Sequence, residues 1–415
     1  MSEWNSITYP NEWVVNVLSD LCELITDGSH FSPIPQEDGE VIVNVKDMKI
    51  WGIDYNSCTK ISKNDFDFLS KQNCAPKIND VLLSKDGTIG RVLVFKDNRK
   101  VVILSSIAIL RTKPVLEPEY LSAILRSFIF ERQLYRFQSG SALKRLVLRD
   151  IQKITIPYPL KNEQRKIARI LSTIDAVIEK TQAAIAKHKA IKQGMLHDLF
   201  TRGIDITTGK LRPKYEDAPD LYKESILGIV PNAWDVEFLG NIISVSSGEG
   251  LTQNKIKPGV HPVYGGNGIN GYHSEYLFED EKLIIGRVGE YCGNAFITKA
   301  FSWVTDNALV VSNNEKGFNF DYWVAYLNYL DLNSVAFAAA QPVITGGIIG
   351  KVPITKVSSA EQNEIAVRLK TINEKLQSEQ NYLHKLQSIK QGLMADLLSG
   401  KKRVKLPEEE LLSVQ

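Results

Sequence analysis

The chain has 415 residues, which is too long for one ordinary hydrophobic core, and about 150 residues per domain gives an expectation of two to three domains. Hydrophobic residues make up 43% of the chain and charged residues 24%, a composition typical of soluble globular proteins. Because 50 basic and 48 acidic residues leave a net charge of only +2, any nucleic-acid-binding surface must be a local feature.

The first five residues contain neither a basic region nor an apolar run of signal-peptide length, and the chain has no stretch approaching about 18 apolar residues. We therefore expect a cytoplasmic protein. The four cysteines are scattered, without a Cys-x-x-Cys pair and without a histidine at ligand spacing. Neither a disulfide framework nor a zinc site is predicted.

Short β-type runs separated by turns fill the region before residue 159 and recur between residues 231 and 357. Each region also has a helical pattern near its end. This mixture predicts an α+β fold with two globular domains of many short strands and a few helices. The predicted strands cover residues 40–45, 80–84, 101–104, 282–285 and 308–311, and the predicted helical patches cover residues 118–138 and 320–330.

A long helical segment occurs twice. Residues 163–199 recur 198 residues later as residues 361–397, and both copies begin with Glu-Gln and carry Ile-Lys-Gln-Gly near their ends. Apolar residues keep three-four spacing over about five heptads, which predicts a narrow coiled-coil seam. At 1.5 Å per residue each helix is roughly 55 Å long, so we expect a spacer. Antiparallel packing of the two copies would relate the halves by a pseudo-two-fold axis.

Polar residues interrupt the predicted seam at Thr181, Lys192, Glu379 and Lys390. One interpretation is local fraying or contact with solvent. The other is that these residues select the register between the two helices. The sequence does not decide between them.

Breakers and a repeated motif mark the domain boundaries. Gly203 and Gly400 follow the two helices, and Pro10-Asn-Glu-Trp13 recurs as Pro231-Asn-Ala-Trp234 at the start of the second globular region. The stretch between Gly203 and Pro231 is rich in Pro, Gly and charge, which predicts a linker. The predicted segments are residues 1–158 and 231–357 (globular domains), 159–202 and 358–400 (helical spacers), 203–230 (linker) and 401–415 (tail).

Glycine-rich loops carry the candidate binding residues. Residues 26–30, 85–91 and 139–145 form three such loops in the first half, and residues 246–250, 264–272 and 286–294 form three in the second. Such loops can bring backbone amides and short polar side chains close to phosphates, while longer side chains reach base edges. Plain turns are the alternative. The matched glycines of the 85–91 and 286–294 loops make the two interpretations about equal.

Enzyme motifs are weak or missing. Residues 266–271 fit the Gly-x-Gly-x-x-Gly dinucleotide fingerprint, but no clear helix follows and no βαβ unit surrounds them. The sequence contains no Walker A lysine, no His-Glu-x-x-His and no Gly-x-Ser-x-Gly. Paired acidic residues on loops are typical of solvated surfaces. We therefore predict no catalytic residue and no metal ligand.

Several motifs resemble the specificity subunit of a type I restriction-modification system. The most specific are the two helix starts and the two Ile-Lys-Gln-Gly ends. Asp27-Gly-Ser-His30, the stretch 80–90 and the stretch 264–269 are similar to segments of that family's target recognition domains. The resemblance covers nearly the whole chain. The second copy departs from it by lacking the Pro-x-Pro ending of Pro157-Tyr-Pro159.

The resemblance implies that each globular domain reads one half of a bipartite double-stranded DNA site. Two methyltransferase subunits would dock on the helices and restriction subunits would join them, so S-adenosylmethionine, ATP and magnesium would belong to those partners. The chain itself would be non-catalytic. Half-sites would then lie about one helical turn apart, roughly 34 to 36 Å or 10 to 10.5 base pairs.

The competing class is a two-domain coiled-coil scaffold that binds proteins without reading DNA.

Basic, hydroxyl, amide and ring side chains in the loops are the candidate contacts with phosphates and base edges. The predicted DNA-binding residues are Ser29, His30, Lys85, Thr88, Lys144, Arg145, Tyr264, Asn267, Arg287 and Asn294, and the predicted partner-binding residues are Arg165, Lys166, Arg169, Lys187 and Lys189.

Overall fold

The computed structural model describes residues 8–49, 52–137, 145–313, 317–336 and 342–405. Contacts divide the chain into two compact units, which we call unit 1 (Met1–Gln182 with Tyr382–Gln415) and unit 2 (Ala183–Asn381). The division falls inside both predicted long helices, so each unit contains part of each helix.

Unit 1 contains two principal sheets. A four-stranded antiparallel sheet has the order β2-β10-β7-β8, and a three-stranded sheet has the order β6-β3-β9, in which β3 and β9 are parallel. Two-stranded pairs β1-β11 and β4-β5 complete it. The strands are β1 Val14–Val17, β2 Cys22–Asp27, β3 Glu40–Val43, β4 Met48–Lys49, β5 Gly52–Ile53, β6 Thr59–Ile61, β7 Val81–Ser84, β8 Val92–Val94, β9 Val101–Ile103, β10 Ile107–Thr112 and β11 Thr155–Tyr158.

Unit 2 repeats this arrangement. Its four-stranded antiparallel sheet has the order β17-β23-β20-β21, and its three-stranded sheet has the order β19-β18-β22 with β18 and β22 parallel. The pair β16-β24 corresponds to β1-β11. The strands are β12 Ile204–Asp205, β13 Lys210–Leu211, β14 Tyr222–Ser225, β15 Gly228–Pro231, β16 Asp235–Phe238, β17 Ile243–Ser247, β18 His261–Gly265, β19 Gly268–His273, β20 Leu283–Gly286, β21 Ala295–Ile297, β22 Trp303–Val304, β23 Ala308–Asn313 and β24 Pro353–Lys356.

The predicted helices form with one difference. The patch predicted over residues 118–138 is two helices, because the chain turns at Arg126 and Ser127, where the hydroxyl of Ser127 caps its neighbours. Residue 138 lies outside the described residues. The helices are α1 Leu18–Leu21, α2 Lys63–Lys71, α3 Pro118–Leu125, α4 Phe128–Phe137, α5 Leu148–Gln152, α6 Lys161–Thr201, α7 Phe320–Tyr329, α8 Gly346–Ile349 and α9 Ser359–Leu398.

The predicted linker of residues 203–230 is folded. Strands β12 and β13 form one antiparallel hairpin, and β14 and β15 form a second. Glycines with positive φ, Gly209 and Gly228, lie at the two turns. The composition that predicted a linker did not indicate these hairpins, although each turn glycine is flanked by residues that pair across it.

Helices α6 and α9 are antiparallel within each unit. In unit 1, Arg403 beyond the end of α9 contacts Glu163 at the start of α6, while the earlier Lys390 contacts the later Asp175. In unit 2, the backbone N–H of Ile204, just past α6, donates to Glu361 near the start of α9. Further along, His188 Nδ1 lies 2.8 Å from Glu379 Oε2. Both helices extend about two residues beyond the predicted segments.

The polar seam positions have different environments. Glu379 and Lys390 make the cross-helix contacts with His188 and Asp175, which favours register selection at these two positions. Thr181 instead donates to the carbonyl of Val177 in its own helix, 2.8 Å away. The predicted apolar seam residues that are buried are Ile167, Leu171, Ile174, Ile185, Leu199, Ile365, Leu369, Ile372, Leu376, Leu386 and Leu397.

Each unit has one main core, closed by the start of one long helix and the end of the other. In unit 1, Ile167 and Leu171 of α6 pack with Leu397 and Leu398 of α9 against the α3 and β10 side chains. In unit 2, residues 199 and 200 of α6 and Ile365, Ala366 and Leu369 of α9 pack against α7 and β20. The four-stranded sheets are therefore attached directly to the long helices.

A buried glutamate fixes each of these junctions. The Glu163 carboxylate accepts two hydrogen bonds from Arg403, at 2.7 Å from Nε and at 2.6 Å from Nη2. Glu361 accepts from Arg212, from the backbone N–H of Ile204 and from Trp234 Nε1. The carboxylate near the start of each long helix therefore binds the segment that follows the end of the other.

The two junctions should differ in stability. Arg212 is 12% exposed, whereas Arg403 is 44% exposed and can regain water. We expect Glu361→Gln to lower the free energy of unfolding by about 3 kcal/mol, because it leaves a buried guanidinium unpaired. Glu163→Gln should cost about 1 kcal/mol. Denaturant unfolding of the two variants measures this difference, and equal losses would contradict it.

Candidate nucleic-acid interface

The predicted loops of unit 1 converge at one edge of the four-stranded sheet. Gly28 N–H donates to the carbonyl of Ile107, and Lys85 N–H donates to the carbonyl of Ser106, so the ends of β2, β7 and the β9–β10 turn lie together. The carbonyl of Lys85 accepts from Leu146 N–H. This last contact brings in the segment that precedes α5.

A charged cluster occupies the centre of this edge. Lys85 Nζ lies 2.9 Å from Asp27 Oδ2, and the Lys85 side chain is only 2% exposed. The other oxygen of Asp27 lies 3.2 Å from His30 Nε2, and the His30 side chain is 66% exposed. Of the predicted contacts, His30 is therefore at the surface, whereas Lys85 is inside and engaged with Asp27.

Ser29 and Thr88 shape the loops in different ways. The Ser29 side chain is buried, and its oxygen accepts from Phe31 N–H at 3.1 Å. Thr88 is exposed, and its carbonyl accepts from the hydroxyl of Ser84 at 2.5 Å. Thr88 can therefore present its hydroxyl outward, while Ser29 stabilises the turn.

Arg145 lies beside the same loop. Its backbone bridges to that of Asp86, and its Nε lies 3.6 Å from the Asp86 carboxylate. Both side chains are exposed, so this pair contributes little to stability and can open. Lys144 lies outside the described residues.

Unit 2 builds the same edge with other side chains. Arg287 N–H donates to the carbonyl of Asn307, and the carbonyl of Arg287 accepts from Ile344 N–H. The guanidinium of Arg287 donates to Ser247 Oγ at 3.3 Å and to the carbonyl of Asp306 at 3.4 Å. The half-buried Arg287 is thus held at the loop edge by neutral oxygens.

The other predicted residues of unit 2 are divided between surface and core. Asn267 and Asn294 are exposed in the loops after β18 and before β21. Tyr264 is buried, and its hydroxyl accepts from Lys299 N–H at 3.0 Å. The Tyr264 ring is therefore a core side chain in this structure, and its hydroxyl accepts a hydrogen bond from the backbone.

One glycine in each unit allows two backbones to approach closely. A Cβ on Gly28 would lie 2.0 Å from the carbonyl oxygen of Ile103, and a Cβ on Gly248 would lie 2.3 Å from that of Val304. Both glycines follow the first strand of the four-stranded sheet. These contacts connect the four-stranded sheet to the three-stranded sheet in each unit.

Sequence patterns did not identify the cleft beside His30. It has a volume of about 560 Å³ and is bordered by the exposed rings of Phe31 and Phe68, with Gln72 and Cys74. Burial raises the pKa of the Cys74 thiol, which therefore stays protonated and poorly nucleophilic. The phenylalanines on α2 and after Ser29 were the sequence signal that could have located this cleft, because their exposed rings border it.

The predicted partner-binding residues lie along the long helices. Arg165 donates to Glu117 at 2.8 Å, which ties it to the turn before α3. Within the respective units, Lys166, Arg169, Lys187 and Lys189 are exposed. Their role in binding partners stays a prediction.

Metal and membrane features are missing from the described ranges. No group of three or more His, Cys, Asp or Glu side chains in them could hold a metal ion. Every helix in these ranges is too short or too polar to cross a lipid bilayer.

Comparison with known proteins agrees with the repeated architecture. The family model described as "Type I restriction modification DNA specificity domain" matches residues 10–187 and again residues 231–388. Because these matches cover most of the chain, it belongs to this family, and the resemblance stated from the sequence is confirmed. The protein is a type I restriction-modification specificity subunit.

Individual relatives match different shares of the chain. The putative type I restriction enzyme MjaX specificity subunit of Methanocaldococcus jannaschii is 26% identical over an alignment of 422 positions, which covers 95% of this chain and 95% of that protein. The EcoprrI specificity subunit of Escherichia coli is 33% identical over 136 residues, covering 32% of this chain and 34% of that protein. A type I restriction-modification S subunit from M. genitalium covers 98% of this chain and 100% of its own, with a TM-score of 0.61 at 16% identity. This last likeness concerns the fold alone.

The glycine contacts predict that two alanine substitutions lower the free energy of unfolding by different amounts. Gly28→Ala should lower the free energy of unfolding by about 3 kcal/mol, because the added carbon meets backbone atoms that cannot rotate away. Gly87 has φ +68° but open space around it, so Gly87→Ala should cost only about 1 to 2 kcal/mol of backbone strain. Denaturant midpoints measure both, and a Gly28→Ala loss no larger than that of the Gly87→Ala control would contradict the close approach.

Proposed function

We propose that this chain reads both halves of a bipartite DNA site and holds them at a fixed spacing. The observation that carries the proposal is the repeated loop edge: the same backbone contacts bring a basic residue, Lys85 or Arg287, to the same place in each unit. Two similar recognition surfaces on one chain are suited to two half-sites.

The long helices support the spacing function. Helix α6 has 41 residues and α9 has 40, and both contribute to each unit. A continuous helix is a stiff element with a length of 1.5 Å per residue. We propose that these two helices keep the two recognition surfaces apart by a set number of base pairs.

Enzymatic activity would belong to other subunits. We propose that two methyltransferase subunits and the restriction subunits assemble on this chain, and that they bring S-adenosylmethionine, ATP and magnesium. The exposed basic residues of the helices, including Lys166, Arg169, Lys187 and Lys189, are proposed contacts for these partners. A chromosomal DNA substrate implies a cytoplasmic location.

Selection from a random duplex library tests DNA reading. The purified assembly should enrich two short motifs of about three to five base pairs separated by a gap of about six or seven. Binding should weaken steeply with salt, because phosphate contacts release counterions. A protein-binding scaffold without DNA readout would enrich no sequence, and that result would overturn the proposal.

Deletion of one heptad from each helix tests the spacing. Removing residues 181–187 and 379–385 shortens each helix by about 10.5 Å, which corresponds to about three base pairs. Both half-site motifs should persist while the gap becomes shorter by about this amount. Methylation-sensitive sequencing of a host that carries the variant with its partners gives the gap directly, and an unchanged gap would contradict the spacer function.

A further inference from the structure

Lys85 and Arg287 occupy equivalent positions in the two sheets. In unit 1, Ala108 of β10 is paired with Asp27 on one side and Leu83 on the other, and Lys85 follows Leu83 by two residues. In unit 2, Leu309 of β23 is likewise paired with Ser247 and Ile285, and Arg287 follows Ile285 by two residues. The register therefore makes Asp27 the counterpart of Ser247.

The two basic residues have opposite electrostatic surroundings. Lys85 is buried against the carboxylate of Asp27, so this part of unit 1 is neutral overall. Arg287 is half-buried. Among the described residues, its guanidinium donates to the hydroxyl oxygen of Ser247 and to the backbone carbonyl of Asp306, which are both neutral. The Arg287 guanidinium therefore has no ion pair with a carboxylate among the described residues.

Burial decides what each residue can reach. Moving Lys85 to the surface would break its ion pair and leave the Asp27 carboxylate alone, where it would repel DNA phosphates. Within unit 1, the side chain that the pair presents outward is His30, held through the second oxygen of Asp27. Arg287 needs no such rearrangement, because its guanidinium is already at the surface.

We propose that Asp27 and Ser247 determine how each half of the protein meets DNA. Asp27 keeps Lys85 inside as a positioning residue that neutralises the carboxylate orienting His30. Ser247 leaves the Arg287 guanidinium free to bind an acceptor oxygen of DNA, on a phosphate or on a guanine edge. This inference rests on the proposed function. It assigns different roles to Lys85 and Arg287, which were both predicted from the sequence to contact DNA.

The first experiment compares Arg287→Met with the double variant Asp27→Asn/Lys85→Met. The full-length chain in its DNA-binding assembly is titrated with a duplex carrying the enriched site at several salt concentrations. Arg287→Met should make the slope of log affinity against log salt shallower by about one if the guanidinium binds a phosphate, and should relax one base position if it binds a guanine. The double variant should keep the wild-type slope, because it removes a pair with no net charge. A double variant with a slope shallower by about one would overturn the proposal.

The single variant Lys85→Met provides a rescue test. It should weaken binding and make the salt slope shallower, because DNA meets the unpaired Asp27 carboxylate. Adding Asp27→Asn should restore the wild-type slope. A lysine that itself touched a phosphate could not be replaced in this way, so a slope that stays shallow in the double variant would refute the positioning role. This readout does not depend on the variant Asp27→Asn alone, which leaves a buried lysine unpaired and could unfold.

Ser247→Asp tests the same idea in the opposite direction. The new carboxylate should pair with Arg287 as Asp27 pairs with Lys85, and the salt slope should become shallower by about one. Ser246→Asp is the matched control, since it adds the same charge one residue away, where the strand side chain points to the other face. Its effect on the slope should be much smaller. Equal effects of the two variants would contradict pairing at residue 247.

Duplexes with single base-pair changes separate the two kinds of acceptor. If Arg287 binds a guanine, Arg287→Met should reduce discrimination at one position by about 5- to 150-fold. If it binds a phosphate, affinity should fall uniformly across all duplexes. An Arg287→Met variant with unchanged slope and unchanged base preference would overturn the proposal. Absence of DNA binding by the wild-type assembly would instead contradict the proposed function.

Discussion

The architecture depends on a buried carboxylate near the start of each long helix. Glu163 and Glu361 have lost almost all contact with water, and a carboxylate in that position must be paired. The donors come from the segment beyond the other helix, through Arg403 in unit 1 and Arg212 in unit 2. This requirement brings the start of one helix beside the end of the other, and the neighbouring Gln164 extends the contact to the backbone before α3.

The recognition edges show how a repeated backbone can carry different chemistry. Close contacts at Gly28 and Gly248 fix the loop paths, so the same hydrogen bonds recur in both units. Side chains at the loop ends are not constrained by these contacts. A lysine and an aspartate occupy one edge, whereas an arginine and a serine occupy the other. The two edges therefore carry different side chains on four-stranded sheets of equivalent strand order.

The helices and strands that depend on local sequence patterns were the ones predicted. Three-four spacing located both long helices to within two residues, and β-type runs located β3, β7, β9, β20 and β23. The burial of Lys85 could not be predicted, because its partner Asp27 is distant in the sequence and the two meet only through the pairing of β10 with both β2 and β7. The burial of Tyr264 could not be predicted for a similar reason: its hydroxyl is bonded to the backbone of Lys299, which no local motif indicates.

The division of the chain into units has a consequence for synthesis on the ribosome. Unit 2 is continuous, so all its elements are present once residue 381 has left the exit tunnel. Unit 1 lacks Leu397 and Leu398 of its core until the last part of the chain emerges. Domains generally fold as units during translation. The half of the protein that is made first is therefore completed last, and until then its exposed core is the part most open to chaperones and to aggregation.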